Sequence, residues 1–217
     1  MNIFVIRHGE TDWNKQFRLQ GRTDIPLNEN GREQARKTAE GLKEMGISFD
    51  AVYSSPLVRA VETAEILSGF PRDKIKTDDR IIELSFGRAE GTTPSERKDN
   101  PGLSAITSFF DAPEKYQPES GAESLQSAIS RTAVFWEEEI RSLENKCNNV
   151  LVSTHGGTLQ SLLLHVDGRS IAQYWDVKIP NCTVNLVTLK DGVFRVEYTA
   201  KTFYKGGFSG GADFFVK

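Results

Sequence analysis

The chain has 217 residues, enough for one domain with a sizeable core but few for two, so we expect a single domain over residues 1–217. Its composition, 38% hydrophobic and 26% charged, is that of an ordinary globular protein. The net charge of -3 gives no general attraction to nucleic acid or to an anionic membrane, and we expect neither as a partner. An anionic substrate would have to be bound by a local cluster of basic side chains.

The first apolar run, residues 3–6, is much shorter than the core of a signal peptide and leads directly into charged residues. Cys147 and Cys182 are far apart in the sequence, and neither belongs to a metal-binding pattern. These features predict a cytoplasmic protein with reduced thiols and without a zinc site.

The predicted elements of the first half alternate between strands and helices. Residues 2–6 form a short apolar run that ends at polar residues, which predicts a buried strand. A helix is expected over residues 28–46, and a second strand over residues 50–53. The dipeptide Ser55-Pro56 then predicts the start of the next helix.

The second half continues the same alternation. The segment 120–123 (Ser-Gly-Ala-Glu) is typical of a capping box and predicts the start of a long helix. A strongly apolar strand over residues 149–153 leads into another helix, and residues 183–189 and 193–200 predict a hairpin. The alternation predicts an α/β fold, a three-layer α/β/α sandwich with a mostly parallel central sheet.

Two segments do not follow this alternation. Residues 92–120 are rich in proline, serine and charge, and predict an inserted, lid-like excursion over the sheet with one short helix at most. Two alternatives stay open for its aromatic side chains and a neighbouring one, lining a pocket mouth or packing in the core; these are Phe86, Phe109, Phe110 and Tyr116. Residues 205–217, rich in glycine and phenylalanine, predict either a flexible tail or one that docks on the surface.

Polar clusters follow the predicted strands at the end of the sheet where ligands bind in open α/β folds. Arg7 and His8 follow the first strand, Arg59 comes shortly after the second, and His155 and Gly156 follow a later one. Guanidinium groups bind phosphate oxygens in a forked geometry and keep their charge, which suits a phosphate site. A single histidine at a strand end is commonly structural, but two of them beside glycines make that interpretation weak.

A longer series of motifs runs through residues 3 to about 165. It comprises Ile6-Arg7-His8-Gly9-Glu10-Thr11-Asp12-Trp13-Asn14, Gln20-Gly21, Asp24-Ile25-Pro26-Leu27, Ser54-Ser55-Pro56-Leu57-Val58-Arg59-Ala60, Glu83, Phe86-Gly87, Glu90-Gly91 and Ser153-Thr154-His155-Gly156-Gly157. In this order the motifs resemble the histidine phosphatase superfamily, whose fold is also called phosphoglycerate mutase-like.

The resemblance implies hydrolysis of small phosphate monoesters through a phosphohistidine, with no metal or other cofactor. His8 would be the nucleophile, and Glu83 would be the general acid and later the base. The phosphate and the substrate would be bound by Arg7, Asn14, Gln20, Arg59, His155 and Gly156. The implied partner is a small phosphorylated metabolite, and the oligomeric state is not predicted.

Three functions stay open: a phosphatase, a cofactor-dependent phosphoglycerate mutase, and a phosphate-binding module without turnover. Residues 107–124 resemble broad-specificity bacterial phosphatases of the superfamily, and an α-ribazole phosphatase is an alternative within the first class. The excursion contains only Arg97, Lys98 and Lys115 as basic residues, without the adjacent arginines expected of a mutase. The family's Gly-x-Trp-Glu-Gly also lacks its aromatic here, because Ala89 stands at that position.

Overall fold

The computed structural model describes residues 1–204, in which six strands form one sheet. The strands are β1 (Asn2–Arg7), β2 (Ala51–Ser54), β3 (Lys76–Thr77), β4 (Asn149–Thr154), β5 (Val184–Lys190) and β6 (Val193–Lys201). Their order across the sheet is β3-β2-β4-β1-β5-β6. β3, β2, β4 and β1 are parallel, and β5 is antiparallel to both β1 and β6. The predicted mostly parallel sheet and the terminal hairpin are confirmed.

Within the described residues, seven α-helices connect or flank these strands. They are α1 (Asp12–Lys15), α2 (Glu29–Glu44), α3 (Val58–Ser68), α4 (Pro94–Lys98), α5 (Ala105–Asp111), α6 (Leu125–Phe135) and α7 (Gly156–Asp167). A π-helical turn, Trp136–Ile140, continues α6. None of the helices in residues 1–204 combines the length and the apolar character needed to cross a membrane.

The sheet is buried on both faces, because its central strands are apolar at consecutive positions. Phe4 and Ile6 pack in one cluster with side chains of α2 and α3. Ile3 and Val5, which point to the opposite face, pack with side chains of α6 and α7. The helices therefore form a layer on each side of the sheet, as the predicted three-layer sandwich requires.

The excursion over residues 92–120 contains two short helices, α4 and α5, where at most one was expected. Thr93 and Glu96 form a capping box at the start of α4, with Pro94 at the first helical position. Ile106 and Phe109 of α5 pack in a third apolar cluster, together with residues outside the excursion such as Leu84 and Leu125. The remaining tail, residues 205–217, lies outside the described residues.

Two predicted helix starts are wrong. α6 begins at Leu125, and the side chain of Ser124 caps it by accepting a hydrogen bond from the Ser127 amide. Glu123 does not close the expected capping box, since its carboxylate is paired with Arg131 at 2.8 Å. α3 begins at Val58 and not at the Ser55-Pro56 dipeptide.

Candidate active site

Three adjacent parallel strands, β2, β4 and β1, bring the predicted polar clusters to one edge of the sheet. In the strand register Arg7 lies opposite Thr154, and Ser54 lies opposite Ser153, so His8 and His155 leave the sheet side by side. Their ring centroids are 5.1 Å apart. The grouping expected from strand ends is therefore present.

His8 is 3% exposed, and its Nδ1 lies 2.7 Å from the carbonyl oxygen of Gly9. A carbonyl only accepts, so Nδ1 carries the proton and Nε2 keeps its lone pair. Burial, reinforced by the positive charges of Arg59 and Arg7, holds the pKa of His8 well below its usual value of 6.5. The imidazole is therefore neutral at physiological pH and has a free nucleophilic nitrogen.

Glycine is required directly after His8 because the chain passes close to the start of α2. A Cβ on Gly9 would lie only 2.5 Å from the carbonyl oxygen of Gly31. The Gly9 amide in turn donates to the hydroxyl of Thr63 on α3 at 3.1 Å. The loop that carries His8 is thereby fixed against both helices of that layer.

Two arginines flank the histidine: Arg59 is fully buried, and Arg7 is partly buried. Arg7 donates from Nη1 to the Ile179 carbonyl at 2.7 Å, and Arg59 donates from its two Nη atoms to the carbonyls of Thr23 and Gly21 at 2.9 and 2.7 Å. These bonds fix the guanidinium planes. Burial lowers the pKa of both groups, that of Arg59 to about 10, so both remain cationic at neutral pH.

His155 is fully buried, and its Nε2 is 2.7 Å from the Ser55 hydroxyl. Burial first, and then the charge of Arg59, keep the pKa of His155 well below 6.5. His155 is thus a neutral ring that contributes hydrogen bonds, and the positive charge of the site comes from the two arginines.

Three nitrogen atoms of these residues have no hydrogen-bond partner within residues 1–204. They are Nε of Arg7, Nε of Arg59 and Nδ1 of His155, and each of these atoms is buried. An unmade hydrogen bond at a buried polar atom costs about 1–3 kcal/mol, more for a charged group. Two unpaired cationic donors beside a neutral histidine predict an anionic ligand with several acceptor oxygens.

Glu83 is 8% exposed and binds the N-terminus of α7. Its carboxylate accepts from the amides of Gly157 at 3.1 Å and Thr158 at 2.9 Å, and from the Thr158 hydroxyl at 3.1 Å. Helix N-termini bind carboxylates through free amides and the helix dipole. A Cβ at Gly157 would lie 3.0 Å from Glu83 Oε1, so glycine allows the helix to approach this closely.

The neutral groups predicted for phosphate binding also lie at the site. Asn14, Gln20 and Gly156 line the same cavity as Arg7 and His8. Asn14 is buried, and its Oδ1 accepts from the amide and the hydroxyl of Thr11, both at 3.2 Å. Gln20 is buried with an Oε1 that no donor in the described chain reaches.

The cavity has about 610 Å³ of empty space, part of it open to solvent. Glu83 and the phosphate-binding candidates other than His155 belong to its lining. The rest of the lining is mainly apolar and aromatic, and includes Leu19, Phe86, Phe109, Phe110 and Trp175. Of the four aromatics whose position was left open, Tyr116 alone does not reach this cavity; it packs on Phe109 with 5.1 Å between ring centroids.

Several residues of the site were not found from the sequence. Ser55 was noted as a helix start and as part of a family motif, but its contact with His155 was not predicted. Arg18 lines the cavity and donates to the Gly91 carbonyl at 2.5 Å, and Trp175 donates from Nε1 to the Phe109 carbonyl at 2.6 Å. No short motif marks such positions, because each contact joins distant parts of the chain. Within residues 1–204, no three His, Cys, Asp or Glu side chains are arranged to hold a metal ion.

The buried neutral histidines predict a loss of stability on acidification. In the unfolded chain His8 and His155 bind protons near pH 6.5, whereas in the folded protein both pKa values lie well below this. Between the folded values and pH 6.5 the unfolded state binds more protons, so the free energy of unfolding falls as the pH falls. Each histidine contributes up to about 1.4 kcal/mol per pH unit.

This dependence is checked by urea unfolding at pH 7.5 and 5.5 for the wild type, His155→Gln and His165→Gln. His155→Gln should lose less stability between the two pH values than the wild type. His165 lies on α7 beside Glu137 and outside the cavity, and His165→Gln shows how much of the difference comes from a histidine away from the site. An unchanged pH difference in His155→Gln would contradict a buried neutral imidazole.

Comparison with known proteins identifies the class to which this fold and site belong. Residues 3–202 match the histidine phosphatase superfamily (branch 1), and the chain belongs to this family. The phosphatase PhoE of Bacillus subtilis (strain 168), itself described as uncharacterized, is 36% identical over 166 residues, which cover 76% of this chain and 77% of PhoE.

Relatives with a different activity are also found. A 2,3-bisphosphoglycerate-dependent phosphoglycerate mutase of Parvibaculum lavamentivorans is 30% identical over 203 residues, covering 90% of this chain and 94% of the mutase. Among solved structures, a mutant of phosphoserine phosphatase from Entamoeba histolytica in complex with phosphoserine has a TM-score of 0.78 and 26% identity. That similarity covers 92% of this chain and 96% of the phosphatase.

Proposed function

We propose that this protein is a phosphoric monoester hydrolase that transfers the phosphoryl group of a small phosphorylated metabolite to His8 and then to water. The observation that carries the proposal is the pair of buried, partnerless Nε–H groups of Arg7 and Arg59, together with the unpaired Nδ1 of His155, beside a neutral His8. A phosphoryl group is negatively charged and has the acceptor oxygens that could pair with these atoms. Phosphoryl transfer requires mainly positioning and positive charge around those oxygens.

In the first step, Nε2 of His8 attacks phosphorus while the bond from phosphorus to the ester oxygen breaks. Arg7, Arg59 and His155 donate to the phosphoryl oxygens, with Asn14 and Gln20 as further polar contacts. Protonated Glu83 gives its proton to the leaving oxygen, so that an alcohol departs. The apolar wall of the cavity would hold the organic part of the ester.

In the second step, the Glu83 carboxylate takes a proton from water as the water oxygen attacks the phosphohistidine. The bond between phosphorus and Nε2 breaks, inorganic phosphate leaves, and His8 is again neutral. The amides of Gly157 and Thr158 at the start of α7 hold the Glu83 carboxyl group in place for both steps. Glu83 is then protonated again, as it was before the first step.

Hydrolysis is favoured over mutase activity by the basic residues around the cavity. Within residues 1–204 the lining contains three cations, Arg7, Arg18 and Arg59. Arg97 does not reach the cavity and donates instead to the Thr92 carbonyl at 2.5 Å. A mutase must retain a bisphosphorylated intermediate, which requires further positive charge, whereas the rest of the lining is mainly apolar here.

The proposal is tested with purified protein and two substrates. We expect release of inorganic phosphate from p-nitrophenyl phosphate and from some metabolite monoesters, phosphoserine among those assayed. With 3-phosphoglycerate and a 2,3-bisphosphoglycerate primer, conversion to 2-phosphoglycerate should be negligible beside hydrolysis. Interconversion faster than phosphate release would show a mutase, and no turnover of any monoester would favour a phosphate-binding module.

Activity is expected to persist in EDTA, because the positive charge at the site comes from two arginines. The measurement compares initial rates with p-nitrophenyl phosphate before and after dialysis against the chelator. Loss of activity that a divalent ion restores would contradict the proposed source of charge.

We also propose that the protein works in the cytoplasm, without nucleic acid as a partner. Support comes from Cys147 and Cys182, both of which are free thiols, and from the net charge of -3.

A further inference from the structure

Asn181 is a buried side chain that contacts the loop carrying His8 without lining the cavity. It is 3% exposed and lies shortly before β5. Its Nδ2 is 2.9 Å from the carbonyl oxygen of His8, 3.2 Å from that of Gly9 and 3.3 Å from Oδ1 of Asn14. One amide group therefore contacts the proposed nucleophile, the next residue and a proposed phosphate ligand.

The direction of the Asn181 amide is set by these partners. All three are acceptor oxygens, so the group that faces them must be the NH₂ and not the carbonyl. Its own Oδ1 is buried, with no donor in the described chain. The flipped amide would place that oxygen against three other oxygens, so the observed orientation is favoured although it leaves Oδ1 unpaired.

Asn14 receives its orientation partly from this contact. Its Oδ1 accepts from the amide and the hydroxyl of Thr11, and Nδ2 of Asn181 is a third donor on the same oxygen. With Oδ1 occupied, the NH₂ of Asn14 is left for a ligand in the cavity that Asn14 lines. An amide whose oxygen accepts hydrogen bonds is also a more polarised donor.

His8 is affected through the Gly9 carbonyl. This oxygen accepts from Nδ1 of His8 at 2.7 Å and from Nδ2 of Asn181 at 3.2 Å. Fixing the direction of the carbonyl also fixes the tautomer with the proton on Nδ1, which leaves Nε2 free to attack phosphorus.

The backbone around Asn181 is anchored to the end of β1. Cys182, at a φ of 51°, donates its amide to the Arg7 carbonyl at 2.9 Å, and Arg7 donates from Nη1 to Ile179 at 2.7 Å. The Tyr204 hydroxyl donates to the carbonyl of Asn181. The amide is thus held in place independently of any ligand.

We infer that Asn181 is a positioning residue for phosphoryl transfer, which fixes the Nδ1–H tautomer of His8 and turns the amide of Asn14 toward the phosphate. The inference rests on the proposed function of His8. Asn181 does not itself touch the substrate; it acts through His8 and Asn14, and the proposed steps at phosphorus stay the same.

Activity and tautomer are measured in Asn181→Ala and, because alanine could impair folding, also in Asn181→Asp, which keeps the size but presents only oxygens. We expect kcat/KM for p-nitrophenyl phosphate to fall by about 10–100-fold, as when a group that orients a reacting side chain is lost. Long-range ¹H–¹⁵N spectra should show a single Nδ1–H tautomer of His8 in the wild type and a mixture in the variants. The chain has only three histidines, which makes the assignment practical.

Asn185→Ala is the matched control. Asn185, on β5, is also buried and donates from Nδ2 to the carbonyl of Val5 on β1 at 3.0 Å, but it does not line the cavity. Its replacement should lower thermal stability and leave both kcat/KM and the His8 tautomer unchanged.

A double-mutant cycle adds Asn14→Ala. If Asn181 acts partly through Asn14, its replacement should cost less activity in the Asn14→Ala background than in the wild type. An unchanged His8 tautomer together with independent, multiplying losses would overturn the inference. Absence of a phosphoenzyme on His8 in the wild type would instead overturn the proposed function, and the two failures are therefore distinguishable.

Discussion

His8→Ala is expected to abolish turnover and phosphoenzyme formation. In other covalent mechanisms, removal of the nucleophile lowers kcat by on the order of 10⁶-fold, and the residual rate comes from binding and charge stabilisation alone. We expect no replacement by His155, because its Nε2 is 2.7 Å from the Ser55 hydroxyl. The measurements are steady-state rates with p-nitrophenyl phosphate and mass spectrometry of enzyme quenched during turnover, under conditions that preserve the acid-labile phosphohistidine.

The control for this variant is His165→Ala, which removes the one remaining histidine, outside the cavity. It should keep wild-type activity and the phosphoenzyme. Circular dichroism establishes whether His8→Ala is folded. The pKa of buried His8 is low, so the side chain is neutral at neutral pH and its replacement by alanine removes no charge from the folded protein. Appreciable turnover in a folded His8→Ala protein would remove His8 from the proposed role.

The position of the main site residues could be predicted because it depends on local signals. Arg7 and His8 directly follow an apolar strand, and His155 follows another, so strand ends alone bring them to one edge of a parallel sheet. The three-layer fold follows for the same reason, since the period of apolar residues distinguishes strands from helices. Glu83 was found through the family motif, because no local pattern marks a carboxylate that binds a distant helix.

Supporting residues could not be predicted, because their role depends on contacts between distant segments. Ser55 meets His155 across 100 positions of sequence, and Asn181 meets His8 across 173. Side chains such as these are common at turns and helix starts, where their sequence context fits an ordinary capping role. Ser55 shows the ambiguity, since its hydroxyl also accepts from the Leu57 amide at 3.3 Å.

The excursion was predicted least accurately, for a related physical reason. Its helices α4 and α5 have five and seven residues, too short to be stable alone. They are formed by tertiary packing, with Phe109 against Phe86 and Trp175 at centroid distances of 5.0 and 5.2 Å. Local propensity could not show that these aromatics would close one side of the cavity.

Glu83→Gln is expected to lower the rate with an alkyl phosphate by about 10²–10⁴-fold, the usual contribution of one general acid. An alkoxide is a poor leaving group and needs the proton, whereas p-nitrophenolate leaves without it, so the loss should be much smaller with p-nitrophenyl phosphate. Glutamine also disturbs the structure, because one of its amide ends is a donor facing the amides of Gly157 and Thr158. That disturbance affects both substrates alike, and the difference between them therefore measures proton transfer.

Glu123→Gln is the matched control for the difference between the two substrates. Glu123 is a half-buried carboxylate that binds Arg131 at 2.8 Å and Arg22 at 3.1 Å, and Arg22 in turn donates to the backbone carbonyl of Glu83 at 3.1 Å. Glu123 does not line the cavity, so its replacement can disturb Glu83 but removes no proton from the reaction. We expect an equal fractional loss for the alkyl and the nitrophenyl ester in Glu123→Gln, and unequal losses in Glu83→Gln. Equal losses in both variants would mean that Glu83 holds the start of α7 in place and that the leaving oxygen takes its proton from another group.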